Sequence, residues 1–176
     1  MRIFRFLTVA LAAASLAACV STPPNALKTE VRDRIFIQNV SETWAAIDGK
    51  RAENADYLTG KADLQARLKT AVETEFKASP SGSEAARFEI TVKTYSRVNA
   101  AMGNMIGGAN MVTADVRVVR VSDGAELGVY KDVVGMHASN GGLIGAIAQA
   151  AIKPDIVGIM TNSFAVNLRA KFDSKK

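Results

Sequence analysis

Four stretches of this chain alternate apolar with polar residues, and two others return an apolar residue at every fourth position. The alternating stretches are 32–40, 87–98, 111–121 and 126–136. In the first, Ile35 and Ile37 share one face while Arg34, Phe36 and Gln38 take the other; the second sets Phe88, Ile90, Val92 and Thr94 against Arg87, Glu89, Thr91, Lys93 and Tyr95. The third sets Val112, Ala114, Val116 and Val118 against Thr113, Asp115 and Arg117. Successive side chains of a strand point to opposite faces, so such alternation predicts strands with one wet side. Residues 61–78 carry Leu64, Leu68, Val72 and Phe76, and the segment from Pro154 carries Ile156, Met160, Phe164, Leu168 and Phe172. That spacing predicts two amphipathic helices. A shorter helix is expected over 41–48, with Ser41 as cap and Gly49 as stop. Residues 51–60 read as polar and irregular.

The order is β-α-β-β-β-α. Ser79-Pro80-Ser81-Gly82 stops the first long helix, and Asp123-Gly124 between two alternating runs predicts a hairpin. The expectation is one α+β domain: an antiparallel sheet with both long helices packed on its apolar face.

Two segments depart from this pattern. Residues 99–110 hold Met102, Met105 and Ile106 among glycines and alanines; residues 139–152 hold Leu143, Ile144 and Ile147 in a similar setting. Connecting segments lie on the surface and are normally polar, so apolar ones need a reason. Gly103/Gly107 and Gly141/Gly145 keep a small-xxx-small spacing that permits close backbone approach. Three placements stay open: an extension of the core, an exposed patch for a protein partner or a second copy, and contact with a membrane surface. The six residues named are the candidate contact residues.

The first residues add a location. Arg2 and Arg5 precede an apolar run over 6–17, and Leu16-Ala17-Ala18-Cys19 closes it, followed by Pro23-Pro24. A cationic start, a short apolar core and small residues before a cut site describe an export signal; about 20 residues are needed to span a bilayer. Leu16-Ala17-Ala18-Cys19 resembles the lipobox of bacterial lipoproteins. That resemblance implies cleavage between Ala18 and Cys19 and acylation of Cys19, a permanent lipid anchor. Val20 stands where an aspartate would signal inner-membrane retention, so the resemblance implies the outer membrane, periplasmic face, rather than the inner membrane. The expected organisation is a signal peptide over 1–18, lipidated Cys19 with a tether over 19–31, and a periplasmic domain over 32–176.

Composition narrows the chemistry. The chain has one cysteine and one histidine, so a His-based metal cluster and an internal disulfide have no material. His137 reads as structural or surface-facing, and no nucleophile-elbow sequence accompanies it. The acids Asp56, Asp63, Asp115, Asp123 and Asp132 are dispersed. No enzyme, no cofactor and no small-molecule substrate is expected. The net charge of +5 comes from scattered cations without a basic stripe, which argues against nucleic acid. Arg169, Lys171, Lys175 and Lys176 cluster at the C-terminus, suiting a helix end and offering contact to anionic lipid heads.

Over 88–172 the chain resembles the domain-of-unknown-function 4410 group of bacterial lipoproteins. The residues that carry this are Tyr95-Ser96-Arg97-Val98-Asn99, the glycine-rich stretch from Met105 to Ala109, Asp123-Gly124-Ala125-Glu126-Leu127-Gly128, and the glycine-rich run before the last helix; Pro154 departs from the pattern. The resemblance implies a fold and a compartment. The function expected from all of this is a non-enzymatic outer-membrane lipoprotein that binds another envelope component, or itself, through the apolar segments. The alternative is an oligomeric export or pore-associated lipoprotein whose segments insert into the membrane.

Overall fold

The computed structural model describes residues 26–45, 55–77, 82–97, 108–139 and 155–174. In chain order these form α1 (Thr29–Arg32), β1 (Ile35–Trp44), α2 (Ala55–Lys77), β2 (Glu84–Ser96), β3 (Gly108–Arg120), β4 (Glu126–Ser139) and α3 (Ile156–Asp173). Four strands in the order β1-β2-β3-β4 make one sheet. Helices α2 and α3 cover one side of it, and a single core lies between. The α+β class holds, and so does the β-α-β-β-β-α order, with the one-turn helix α1 added before β1.

The sheet is mixed, however, not wholly antiparallel. β1 pairs with β2 in parallel, whereas β2–β3 and β3–β4 are antiparallel. The cause is the connection: a chain that crosses one face of the sheet as a long helix re-enters running the same way. β1 also runs through Trp44, so the short helix expected from Ser41 does not begin there. An isolated helix of two turns is marginal. The same residues instead continue the ladder to β2, with the Ser41 and Thr43 hydroxyls donating to the Phe88 and Ile90 carbonyls, each at 3.4 Å. Residues 46–48 of that expected helix lie outside the described residues. α2 begins at Ala55, within the stretch read as irregular.

Leu64, Leu68 and Val72 of α2 and Met160, Phe164 and Leu168 of α3 are fully buried against Phe88, Ile90, Val92, Val112, Ala114, Val116 and Val118. Burying a side chain of this size stabilises the fold by about 1.5–3 kcal/mol relative to exposure. Phe76, Phe88 and Phe172 meet edge-on at 4.8–6.2 Å between ring centres. Ala26 packs against the core and Leu27, 1% exposed, is part of it, while α1 is clamped to α3: the Arg32 guanidinium donates to the carbonyls of Asp173 and Ser174 at 3.3 and 3.2 Å.

The alternation in β2 changes phase. A register shift between Val92 and Thr94 inserts an extra residue, so Thr94 turns outward and Tyr95 turns into the core, the reverse of strict period two. A bulge of this kind displaces every later side chain to the opposite face. The uncovered side of the sheet is charged. Lys93 bridges Asp115 and Asp132 at 3.1 and 2.6 Å, and Arg117 bridges Glu89 and Glu126 at 3.0 and 2.9 Å. Pairs in water contribute little each, but together they keep this face polar.

Candidate functional site

The strand registers sort the chain into two ends. Gly108 at the start of β3 pairs with Ser139 at the close of β4, and Ser96 at the close of β2 pairs with Met111. The chain therefore leaves for both glycine-rich segments from one end of the sheet, by adjacent stems. Trp44, the last residue of β1, pairs with Val92 and reaches the same end. α3 runs antiparallel to β4, with Ser163 beside Met136 and Asn167 beside Val134, so its N-terminus also lies here. The opposite end holds α1, the starts of β1 and β2, the turn after Arg120 and the C-terminus of α3. There Ala26 and Leu27 pass over Gly128, where a Cβ would meet the Ala26 carbonyl oxygen at 2.6 Å. The sheet is about 40 Å long between these ends, from thirteen residues of β2 at roughly 3.3 Å each.

Met102, Met105, Ile106, Leu143, Ile144 and Ile147 lie outside the described residues, as do Ala18 and Cys19. What the structure supplies is the frame from which the first six depart. Towards that end the helix side of the sheet carries a run of aromatic and polar side chains. β1 contributes Glu42 and Trp44, level with Ile90 and Val92 of β2; nearer the stems β2 contributes Tyr95, β3 contributes Asn110 and β4 contributes His137, with Tyr57 and Lys61 of α2 against Tyr95 and Trp44. The Tyr95 ring lies 5.1 Å from Tyr57 and 6.3 Å from Trp44, and the Lys61 ammonium sits 5.4 Å over the Trp44 ring. Gly60 is required beneath this group: a Cβ there would strike the Tyr95 hydroxyl. The one tryptophan and two of the three tyrosines of the chain thus gather at a single end.

The electrostatics of the row follow from burial. The Trp44 indole N–H donates to Glu42 Oε1, while Glu42 Oε2 is buried with no hydrogen-bond partner among the described residues. Loss of hydration pushes the Glu42 carboxyl above its ordinary value, and the Trp44 bond only partly offsets this. Burial likewise pushes the Tyr95 phenol up, against the pull of the Arg97 charge. Asn110 is 3% exposed and pairs across the ladder with His137, whose Nδ1 is buried without a hydrogen-bond partner among the described residues.

α3 starts on a built cap. Asp155 Oδ1 accepts from the Gly158 N–H at 3.0 Å, and its Oδ2 receives Arg67 of α2 at 2.6 Å. Both contacts hold the Asp155 carboxyl below its usual range. The cap residue is Asp155, one position after Pro154 in the chain, and its signal in the sequence is an aspartate three residues before Gly158. A groove of about 520 Å³ runs between α2 and α3 from this cap, lined mainly by Ala66, Thr70, Thr74, Ala165 and Val166. A second cavity of about 290 Å³ opens at the other end between Phe36, Phe76, Phe172, Arg32 and Arg169.

No group of three or more His, Cys, Asp or Glu among the described residues has metal-ligand geometry, and no described helix is long and apolar enough to cross a membrane. The polar row is a scaffold of aromatic and hydrogen-bonding contacts, and the arrangement suits holding stems in place.

No protein-family model matches the chain, and no curated protein matches it either. Solved structures similar to it include a Xanthomonas campestris protein of the DUF330 family model, 11% identical over 87% of this chain and 88% of that one, with a TM-score of 0.43. A PelC dodecamer from Paraburkholderia phytofirmans is 13% identical over 89% and 95%, with a TM-score of 0.40. Lipoprotein GNA1162 from Neisseria meningitidis is 18% identical over 68% and 95%, with a TM-score of 0.29.

Proposed function

We propose that this chain is a non-enzymatic lipoprotein, held at the periplasmic face of the outer membrane by acylated Cys19, that binds another envelope component or a second copy of itself. The contact is made by the two glycine-rich segments, through Met102, Met105 and Ile106 from one and Leu143, Ile144 and Ile147 from the other. The observation that carries this reading is the Gly108–Ser139 pairing, which brings the stems of both segments side by side. Two apolar stretches far apart in sequence then leave from one place, as a composite contact surface requires. The aromatic row beneath stiffens β1, β2 and α2 at that end, so less order has to be gained on binding.

The exit of the N-terminal segment favours a partner over insertion into the bilayer. Leu27 is packed at the far end of the sheet, some 40 Å from the stems by strand rise. Photo-crosslinking in cells tests the reading, with a reactive residue at Met105 or Leu143 and a control at Ser122 in the opposite turn. Discrete adducts from the first two positions and none from Ser122 are expected. No adduct from either, or the same adducts from all three, refutes it.

A further inference from the structure

The end opposite the stems is where the anchor enters, and its charges differ from those elsewhere on the surface. Most arginines there are already occupied: Arg32 pairs with Asp33, Arg169 with Asp173, and Arg120 with Glu84 and Asp123. Three exposed cations at this end have no ion-pair partner among the described residues. Lys28 precedes α1 as its cap residue, Arg34 lies between α1 and β1, and Lys77 closes α2. Arg34 and Lys77 belong to one corner, since the Arg34 carbonyl accepts from the Glu84 N–H at 2.9 Å just beyond the connection that follows Lys77. Among acids left without a partner, Glu30 lies at this end and Glu75 faces the groove between the helices. Lys175 and Lys176 follow Ser174 in the chain.

We propose that this end is a membrane-facing foot, which lays Lys28, Arg34 and Lys77 on anionic phospholipid headgroups and so points the stems of the glycine-rich segments away from the bilayer. The proposal rests on the acylation of Cys19 put forward above. Six residues lie between Cys19 and Ala26, so the seven Cα–Cα steps reach at most about 25 Å. Such a leash holds the body near the membrane but lets it tumble, so a fixed orientation needs a second contact. Cations close to an anionic leaflet supply one, and it fades within a Debye length. The clamp between Arg32 and the C-terminus of α3 keeps the foot in one piece.

The test uses the acylated protein extracted from membranes and placed in vesicles of phosphatidylcholine, alone or mixed with an equal share of phosphatidylglycerol. Cys19 is the only cysteine and is committed to lipid, so a cysteine introduced at Ser122 (foot end) or Thr59 (stem end) carries the donor dye alone; a headgroup dye is the acceptor. With anionic vesicles, energy transfer from Ser122 should exceed that from Thr59 several-fold, since the two lie roughly 35 Å apart along the strand direction. The difference should shrink at about 1 M salt, where the Debye length is about 3 Å. It should shrink equally in the Lys28→Gln/Arg34→Gln/Lys77→Gln variant. Equal transfer from both positions, stronger transfer from Thr59, or the same contrast in neutral and anionic vesicles overturns the foot. Failure to sediment with phosphatidylcholine vesicles is a different result: it overturns the acylation itself, and the foot falls with it.

Discussion

Glu42 shows how much one residue's surroundings decide. One oxygen of its carboxylate accepts from the Trp44 indole N–H and the other is buried without a hydrogen-bond partner among the described residues. A carboxyl raised in the folded state opposes folding once it ionises. The cost is absent below the ordinary value of 4.5, grows as pH rises toward the raised one, and is complete above it. Glu42→Gln, which can still accept the Trp44 N–H, is expected to raise the melting temperature at pH 7 and to leave it nearly unchanged at pH 4. Thermal scans at the two pH values check this. Asp155 works in the opposite sense. Its carboxyl is depressed by the Gly158 N–H and Arg67, so its contribution is present above the unfolded value and is lost as pH falls through the depressed one. Asp155→Ala is expected to destabilise by about 1 kcal/mol at pH 7, a typical loss for a helix cap, as read by urea denaturation.

At the scale of elements, the close fit of α3 on β4 sets what the fold tolerates. Gly135 lies under this helix; a Cβ there would come 2.7 Å from Phe164 Cβ and 3.0 Å from Val112 Cγ1, with the Met160 carbonyl closer still. Gly135→Ala is therefore expected to cost about 1–3 kcal/mol, in the range of overpacked cores, again measured by denaturation. β4 is an edge strand, and α3 occupies part of its backbone. Asn167 donates to the Val134 carbonyl at 2.8 Å, and the Met136 N–H donates to the Ser163 hydroxyl at 3.3 Å. Covering an edge in this way blunts strand-to-strand aggregation.

The long-range pattern of these elements was legible in the sequence because burial on one face imposes its period directly. Leu64 to Phe76, Ile156 to Phe172 and Val112 to Val118 mark surfaces that the core then buries. What was not legible came from contacts between elements. The parallel β1–β2 pairing depends on a crossover, and strand formation at Ser41–Trp44 depends on a neighbour that a local cap signal ignores. The inward turn of Tyr95 depends on one inserted residue at the Lys93 bulge. Hence local pattern does not reveal the aromatic group at the stem end: by pattern alone Trp44 falls in a helix, Tyr57 in an irregular stretch and Tyr95 on the wet face, and only the contacts between elements bring the three together.

At the scale of the whole molecule, the fold separates two roles by the length of its sheet. One end receives the N-terminal segment and carries unpaired cations; the other carries the stems of both glycine-rich segments. With the anchoring proposed above, the length of the strands would set how far from the membrane the stems stand. Exchanging Met105 and Leu143 for serine is expected to abolish the adducts captured from neighbouring positions in those segments while changing the melting temperature little, which crosslinking and thermal scans of the same variant separate. All of this depends on the covalent state of residue 19. The most direct measurement is the mass of the N-terminal peptide from protein extracted from membranes. The account predicts a chain beginning at an acylated Cys19; a free thiol at that position, or a leader still attached, contradicts it.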